Sequence, residues 1–284
     1  MSTCSTGSVA ITVMDASLRF MLKSPSLSSC HRIERNRLHM GSHPDKPAFA
    51  IVSAWLVHLL TASGAVFGLL SMSATANGQY IVALLWMAVT TAIDGVDGAL
   101  ARKFRVKHYL PQFDGALLDN IMDYFTYVLV PAYFLLHVPI LPASWRLPMA
   151  FSILLASAYQ FCRTDAKTED HTFTGFPSYW NVVVFYLFLL GWPWQVNAGL
   201  LLVCAFGVFI PVRYLYPSRT PTLRPLNVAL GIVWAVMLVA ALMLYPDSHE
   251  TLVLISFFYV VYYLAFSIWL TLWRKRAEKA TGLA

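Results

Sequence analysis

Charge is scarce in this chain. Only 12% of its 284 residues are charged, where soluble domains carry about a quarter. Together with repeated uncharged windows of about 20 residues, that shortage excludes an ordinary soluble helical globule. Cysteine is scarce as well. Cys4, Cys30, Cys162 and Cys204 have no metal-ligand spacing, and none needs a disulfide to explain it. Ten-residue stretches of alternating apolar and polar residues are missing, which excludes a transmembrane barrel. So is a serine-centred triad or other persuasive nucleophile.

What the chain has instead is apolar runs, recurring from residue 48 to residue 273. They predict an all-α polytopic membrane bundle of about eight transmembrane helices: 48–71, 78–95, 117–138, 147–162, 177–191, 196–216, 225–245 and 251–273. With eight spans, both termini share a side. Nineteen of the 20 Lys and Arg residues fall on that side and only Arg146 on the other, so both termini are expected in the cytoplasm. The net charge of +6 is then explained by an anionic membrane surface and needs no nucleic acid.

Three regions follow. Residues 1–45 form a cytoplasmic extension, either disordered or containing an interfacial helix at 7–24, with Met40 as an alternative start. Residues 46–275 form the membrane domain, and 276–284 a cytoplasmic tail.

The densest chemistry lies in DGVDGALARKFRVKHYLPQFDGALLDNIMD, from Asp94 to Asp123. Asp94 and Asp97 are three apart and Asp119 and Asp123 four apart, so each pair shares a helix face. The expected topology brings both pairs to the cytoplasmic ends of two antiparallel helices. Four carboxylates at a membrane edge need positive charge between them. One or two divalent cations supply it economically, and oxygen-only ligands favour Mg²⁺ or Mn²⁺ over zinc. A proton relay or a structural acid cluster is the alternative. Gly98, Ala101 and Gly115 make tight surfaces that a ligand can approach, or else are helix-packing positions. Arg102 is placed to hold a diphosphate through paired donors, or else snorkels to the membrane surface.

Asp94–x–x–Asp97–Gly98–x–x–Ala101–Arg102, followed by Gly115–x–x–x–Asp119–x–x–x–Asp123, resembles the signature of the CDP-alcohol phosphatidyltransferases. The family usually places eight residues between the Arg and the second Gly. This chain has twelve, Lys103 to Asp114. That longer gap resembles the bacterial phosphatidylcholine synthase branch, as does the polar segment Cys162–Asn181.

The resemblance covers most of residues 48–275. It implies CDP-diacylglycerol as donor, choline as acceptor, and phosphatidylcholine and CMP as products. It also implies Mn²⁺ or Mg²⁺, two ions, a homodimer and a bacterial inner membrane. Asp94, Asp97, Asp119 and Asp123 would hold the metals, with Asp119 bridging and Asp123 also acting as base. Gly98 and Gly115 would make room for the nucleotide, and Arg102 would contact the donor phosphates.

Choline carries a permanent cation that aromatic faces can hold. Tyr124, Tyr127, Tyr159, Phe161, Tyr179 and Trp180 are the candidates, with Tyr127 deepest and equally suited to helix packing. Tyr179 and Trp180 also fit an interfacial aromatic belt. Glu169 and Asp170 could add negative potential, and Arg163 could meet phosphate or anionic lipid. Arg213, Arg219 and Arg224 read as topology signals, and His58 as a local membrane contact. A related transferase using serine, inositol phosphate or glycerol phosphate shares the acidic core. A transporter would want acids strung along a pathway and a broken-helix repeat, and neither is evident. A structural scaffold leaves the paired acids unexplained.

Overall fold

The computed structural model describes residues 47–163, 172–215 and 223–281. The expected extension 1–45, Glu169, Asp170 and Arg219 lie outside them. From Phe49 onward the described residues pack as one unit. Two long helices come first, α1 (Ala48–Ala76) and α2 (Tyr80–Lys103). A single turn, α3 (Val106–Tyr109), follows, and then an interrupted helix: α4 (Gly115–Asp123), a π-helical stretch (Tyr124–Leu129) and α5 (Val130–His137). Next are α6 (Ala143–Cys162), β1 (Thr172–Thr174), α7 (Trp180–Leu190), α8 (Trp194–Gly207) and β2 (Arg213–Leu215). The helices α9 (Arg224–Met243) and α10 (Glu250–Thr281) complete the order, so the expected tail from 276 begins inside α10.

The expectation of eight spans is corrected. Among the described residues, four helices are long and apolar enough to cross a membrane: α1, α2, α9 and the Glu250–Trp273 part of α10. They make this a multi-pass membrane protein. The expected span 117–138 is broken by the π stretch. Pro131, just beyond it, has no N–H and its ring crowds the carbonyl one turn back, so the helix widens there. The expected span 147–162 lies in α6, which carries Arg146 and an internal Pro148. The expected spans 177–191 and 196–216 yield α7 and α8, of 11 and 14 residues. At 1.5 Å per residue they reach roughly 16 and 21 Å, against about 30 Å of hydrocarbon.

These shorter helices supply the protein's own core. Phe134, Leu135, Ile153, Trp180, Val184, Leu187 and Leu201 are all fully buried there. An apolar run reports burial without saying whether lipid or protein does the burying. The long helices do turn apolar side chains outward, including Phe49, Leu59, Val236, Met243 and Phe258.

The described residues also contain one two-stranded element in an otherwise helical fold. β1 pairs antiparallel with β2, with Phe173 opposite Tyr214. Gly175 ends that ribbon at φ +83°, where any side chain would overlap the Val208 carbonyl. Only glycine fits both demands.

Close helix approach positions the acidic segment. Gly64 and Gly68 of α1 face Thr126 and Phe125 of the π stretch. That contact seats the turn following Asp123 directly against α1. Asp114 starts α4 by accepting hydrogen bonds from the Ala116 and Leu117 amides at 3.1 and 3.0 Å, an N-cap that satisfies two otherwise orphaned donors.

Candidate active site

The end of α2 carries Asp94, Asp97, Gly98, Ala101 and Arg102, and α4 carries Gly115, Asp119 and Asp123. Three of the acids converge. Asp94, Asp119 and Asp123 each offer a carboxylate oxygen, and these atoms lie within 4.8 Å of one another. Asp97 stands beside this group. It is buried, and one of its oxygens accepts the Thr61 hydroxyl at 2.8 Å. Asp94 likewise accepts the Tyr127 hydroxyl at 2.7 Å.

All four acids line a tight slot of 10 Å³ with Thr61, Gly64, Thr90, Ile93, Met122 and Thr126. Among the described residues no Lys or Arg lines it. Four carboxylates around so small a space repel one another unless a cation sits among them or they take up protons. The donor set is all oxygen, so it fits a hard divalent cation.

A second cavity of 1010 Å³ opens beside the slot. Its wall includes Gly98, Ala101, Arg102 and Gly115, which brings these expected site residues together. The two cavities share Thr61, Asp97 and Asp119, so two of the four acids also line the larger one. Arg105, Lys107, His108 and Arg224 also line that chamber. Its roof is the lengthened segment after Arg102. Arg105 turns the chain in the left-handed region, at φ 48°. Val106 and Leu110 then bury themselves against Ala54 and Val57 of α1. Gly115 has no side chain because His58 occupies the space: a Cβ there would lie 2.6 Å from the imidazole Cε1.

Other expected residues are elsewhere. Arg163 lies with its guanidinium 5.6 Å from the Tyr159 ring centroid and lines neither cavity. Tyr124 donates to the Leu154 carbonyl at 3.1 Å and packs edge-on against Phe161. Trp180 is fully buried and donates to the Ser157 hydroxyl at 2.7 Å. Tyr179 packs 5.9 Å from the ring of Tyr127. None of these three lines either cavity.

Thr61, His58 and Arg224 were not expected at the site. A signal existed for each of two. Thr61, Gly64 and Gly68, at spacings of three and four, form a stripe of small and polar residues on one face of α1. Arg224 stands in the first turn of α9, where a cation opposes the helix dipole and needs another reason to be there.

Comparison with known proteins decides the family. The CDP-alcohol phosphatidyltransferase profile matches residues 54–212. The chain belongs to that family. It is 42% identical over 250 residues to a phosphatidylcholine synthase of Legionella pneumophila, covering 84% of this chain and 98% of the relative. A phosphatidylcholine synthase of Legionella bozemanae is 41% identical over 214 residues, with 73% and 99% covered. One from Pseudomonas aeruginosa is 36% identical over 226 residues, with 79% and 93% covered. The matched region contains both cavities except for Arg224, which lies beyond its end.

Proposed function

We propose that this protein is a CDP-diacylglycerol:choline phosphatidyltransferase, forming phosphatidylcholine and releasing CMP. The observation that carries this reading is the junction of the two cavities. A carboxylate slot shares Asp97 and Asp119 with a chamber that also carries Arg102, Arg105, Lys107 and Arg224 and is large enough for a nucleotide and its phosphates. Phosphatidylcholine synthases among its relatives support choline as the acceptor.

Asp94, Asp119 and Asp123 form the core of the metal site, and Asp97 joins them at the chamber side. One or two Mn²⁺ or Mg²⁺ ions held by these carboxylates would supply positive charge for the phosphoryl and leaving oxygens. Arg102 binds the donor phosphates from the chamber wall. Gly98, Ala101 and Gly115 leave room for the nucleotide. The choline oxygen forms a bond to the phosphorus bearing diacylglycerol. The bond from that phosphorus to the bridging oxygen breaks, its electron pair leaving with CMP, and the choline proton passes to Asp123 directly or through water. Charge is balanced without a covalent enzyme intermediate.

The donor's two halves explain why such a site belongs at a membrane edge. Its acyl chains stay in lipid while its nucleotide needs a polar chamber. Arg102 and Lys103 end α2, Arg224 begins α9, and Arg274, Lys275 and Arg276 follow the apolar part of α10. This supports a cytoplasmic site in the inner membrane with both termini cytoplasmic, because four crossings also return the chain to its starting side. A homodimer is part of the proposal through the family resemblance.

The test is transfer itself. Purified protein in mixed micelles with CDP-diacylglycerol and Mn²⁺ is offered labelled choline, serine, inositol, inositol phosphate or glycerol 3-phosphate. Phosphatidylcholine with equimolar CMP, both abolished by a chelator, is the expected result. Product from another alcohol instead overturns the choline assignment. Absence of CMP from folded protein overturns the transferase reading.

A further inference from the structure

The slot's acids depend on a group that none of the sequence motifs contains. Tyr127 is nearly inaccessible, at 7% exposure. Its hydroxyl donates to Asp94 Oδ2 at 2.7 Å, across 33 residues of chain. It lies in the π-helical stretch that begins directly after Asp123. One stretch of chain thus delivers both a member of the acid cluster and the donor that holds another member. π-Helical widening is often found where a side chain must be aimed off the regular helical register. Pro131 provides the local reason for it here. Tyr127 is fixed from behind as well, its ring packed 5.9 Å from Tyr179 at the start of α7.

An aspartate side chain has rotamer freedom, and three carboxylates drawn together repel one another. A neutral phenol cannot cancel that charge. It can occupy one lone pair of Asp94 and hold the side chain in the cluster, where a carboxylate has further lone pairs to offer a cation. Donors of this kind orient metal ligands, and their loss typically weakens metal affinity or activity by about 10- to 100-fold.

We propose that Tyr127 is a positioning residue of the metal site, holding the Asp94 carboxylate against Asp119 and Asp123. This deepens the transferase reading, since it rests on the acid cluster binding a divalent cation. The geometry makes the role specific to the hydroxyl and to Asp94.

The experiment measures binding of Mn²⁺ alone, by electron paramagnetic resonance of the free ion, to the full chain in micelles without substrate. Tyr127→Phe keeps the ring and removes the hydroxyl. Its Mn²⁺ dissociation constant is expected to rise about tenfold, while its melting temperature in chelator stays near that of the natural chain. Activity is expected to return towards the natural value as Mn²⁺ is raised. In an Asp94→Asn background, Tyr127→Phe should add little further loss, because the pair acts as a unit. Should the Phe variant fold poorly, Tyr127→Met, which also lacks the hydroxyl, must show the same metal defect. An unchanged dissociation constant in a folded variant overturns the proposal, as does an undiminished loss in the Asp94→Asn background. Failure of the natural chain to bind Mn²⁺ is a different result and overturns the metal reading itself.

Discussion

Two cavities share one wall, and only one of them adds basic side chains to the acids. The slot is 10 Å³, ringed by four carboxylates and small or hydroxyl side chains. The chamber is 1010 Å³ and is rimmed by Arg102, Arg105, Lys107 and Arg224. Their common lining is Thr61, Asp97 and Asp119. A space as small as the slot admits about one water or a cation, while the chamber has room for a phosphorylated nucleotide. The difference shows how a single site can gather charges of both signs without neutralising itself. Acids on one level attract cations, and guanidinium groups on the next attract phosphates. The reacting phosphorus belongs where the two meet.

The sharpest way to break that comparison is to remove a residue both cavities use. Asp119→Ala is expected to lower turnover by about a thousandfold or more, since several kcal/mol of charge stabilisation would go with it. CMP release by micelle-reconstituted protein checks this, with Mn²⁺ titration showing that added metal does not rescue it. Near-normal turnover would remove Asp119 from the bridging position.

Changes confined to the chamber should behave differently. Arg102→Ala is expected to raise the KM for CDP-diacylglycerol about tenfold, the scale of a lost charge-assisted hydrogen bond. Mn²⁺ affinity should stay the same. A matching loss of metal affinity would mean that the two cavities are not functionally separate. Arg224→Ala should be the mildest, raising the same KM about threefold, because Arg224 stands outside the acidic motif and acts through a screened field. Its effect should shrink further at high salt. An effect as large as that of Arg102 would make Arg224 a direct phosphate ligand.

The acidic motif was legible because helix geometry is local. Spacings of three and four residues put side chains on one face whatever surrounds the helix. Asp119 and Asp123 accordingly act from one face of α4, and the packing of α2 brings Asp94 to them. The partners of these acids were not legible in the same way. Thr61 reaches Asp97 across 36 residues and Tyr127 reaches Asp94 across 33, and no local period records such pairings. The contacts of nearby aromatic residues were not legible for a related reason. Tyr124 and Trp180 stand close in sequence to functional segments, yet their polar atoms are engaged by Leu154 and Ser157. Their place was decided by the need of buried polar groups for partners.

The membrane count failed on the same distinction between local and distant. Apolar runs at 177–191 and 196–216 resemble spans because hydropathy measures a side chain's preference for leaving water. It is blind to what receives it. In α7, Val184 and Leu187 leave water by entering the protein core, fully buried. In α9, Val236 and Met243 remain exposed on the outer surface.

The amino-acid sequence by itself determined the helices and the face on which the acids lie, because both follow from backbone hydrogen bonding and residue spacing within one segment. It also carried the family signature. Only the tertiary structure decided which apolar helices line the core, which hydroxyls hold Asp94 and Asp97, and how Arg224 comes to share a chamber with Arg102. Those outcomes depend on surfaces brought together across tens to more than a hundred residues of chain, and their energies exist only once the surfaces meet.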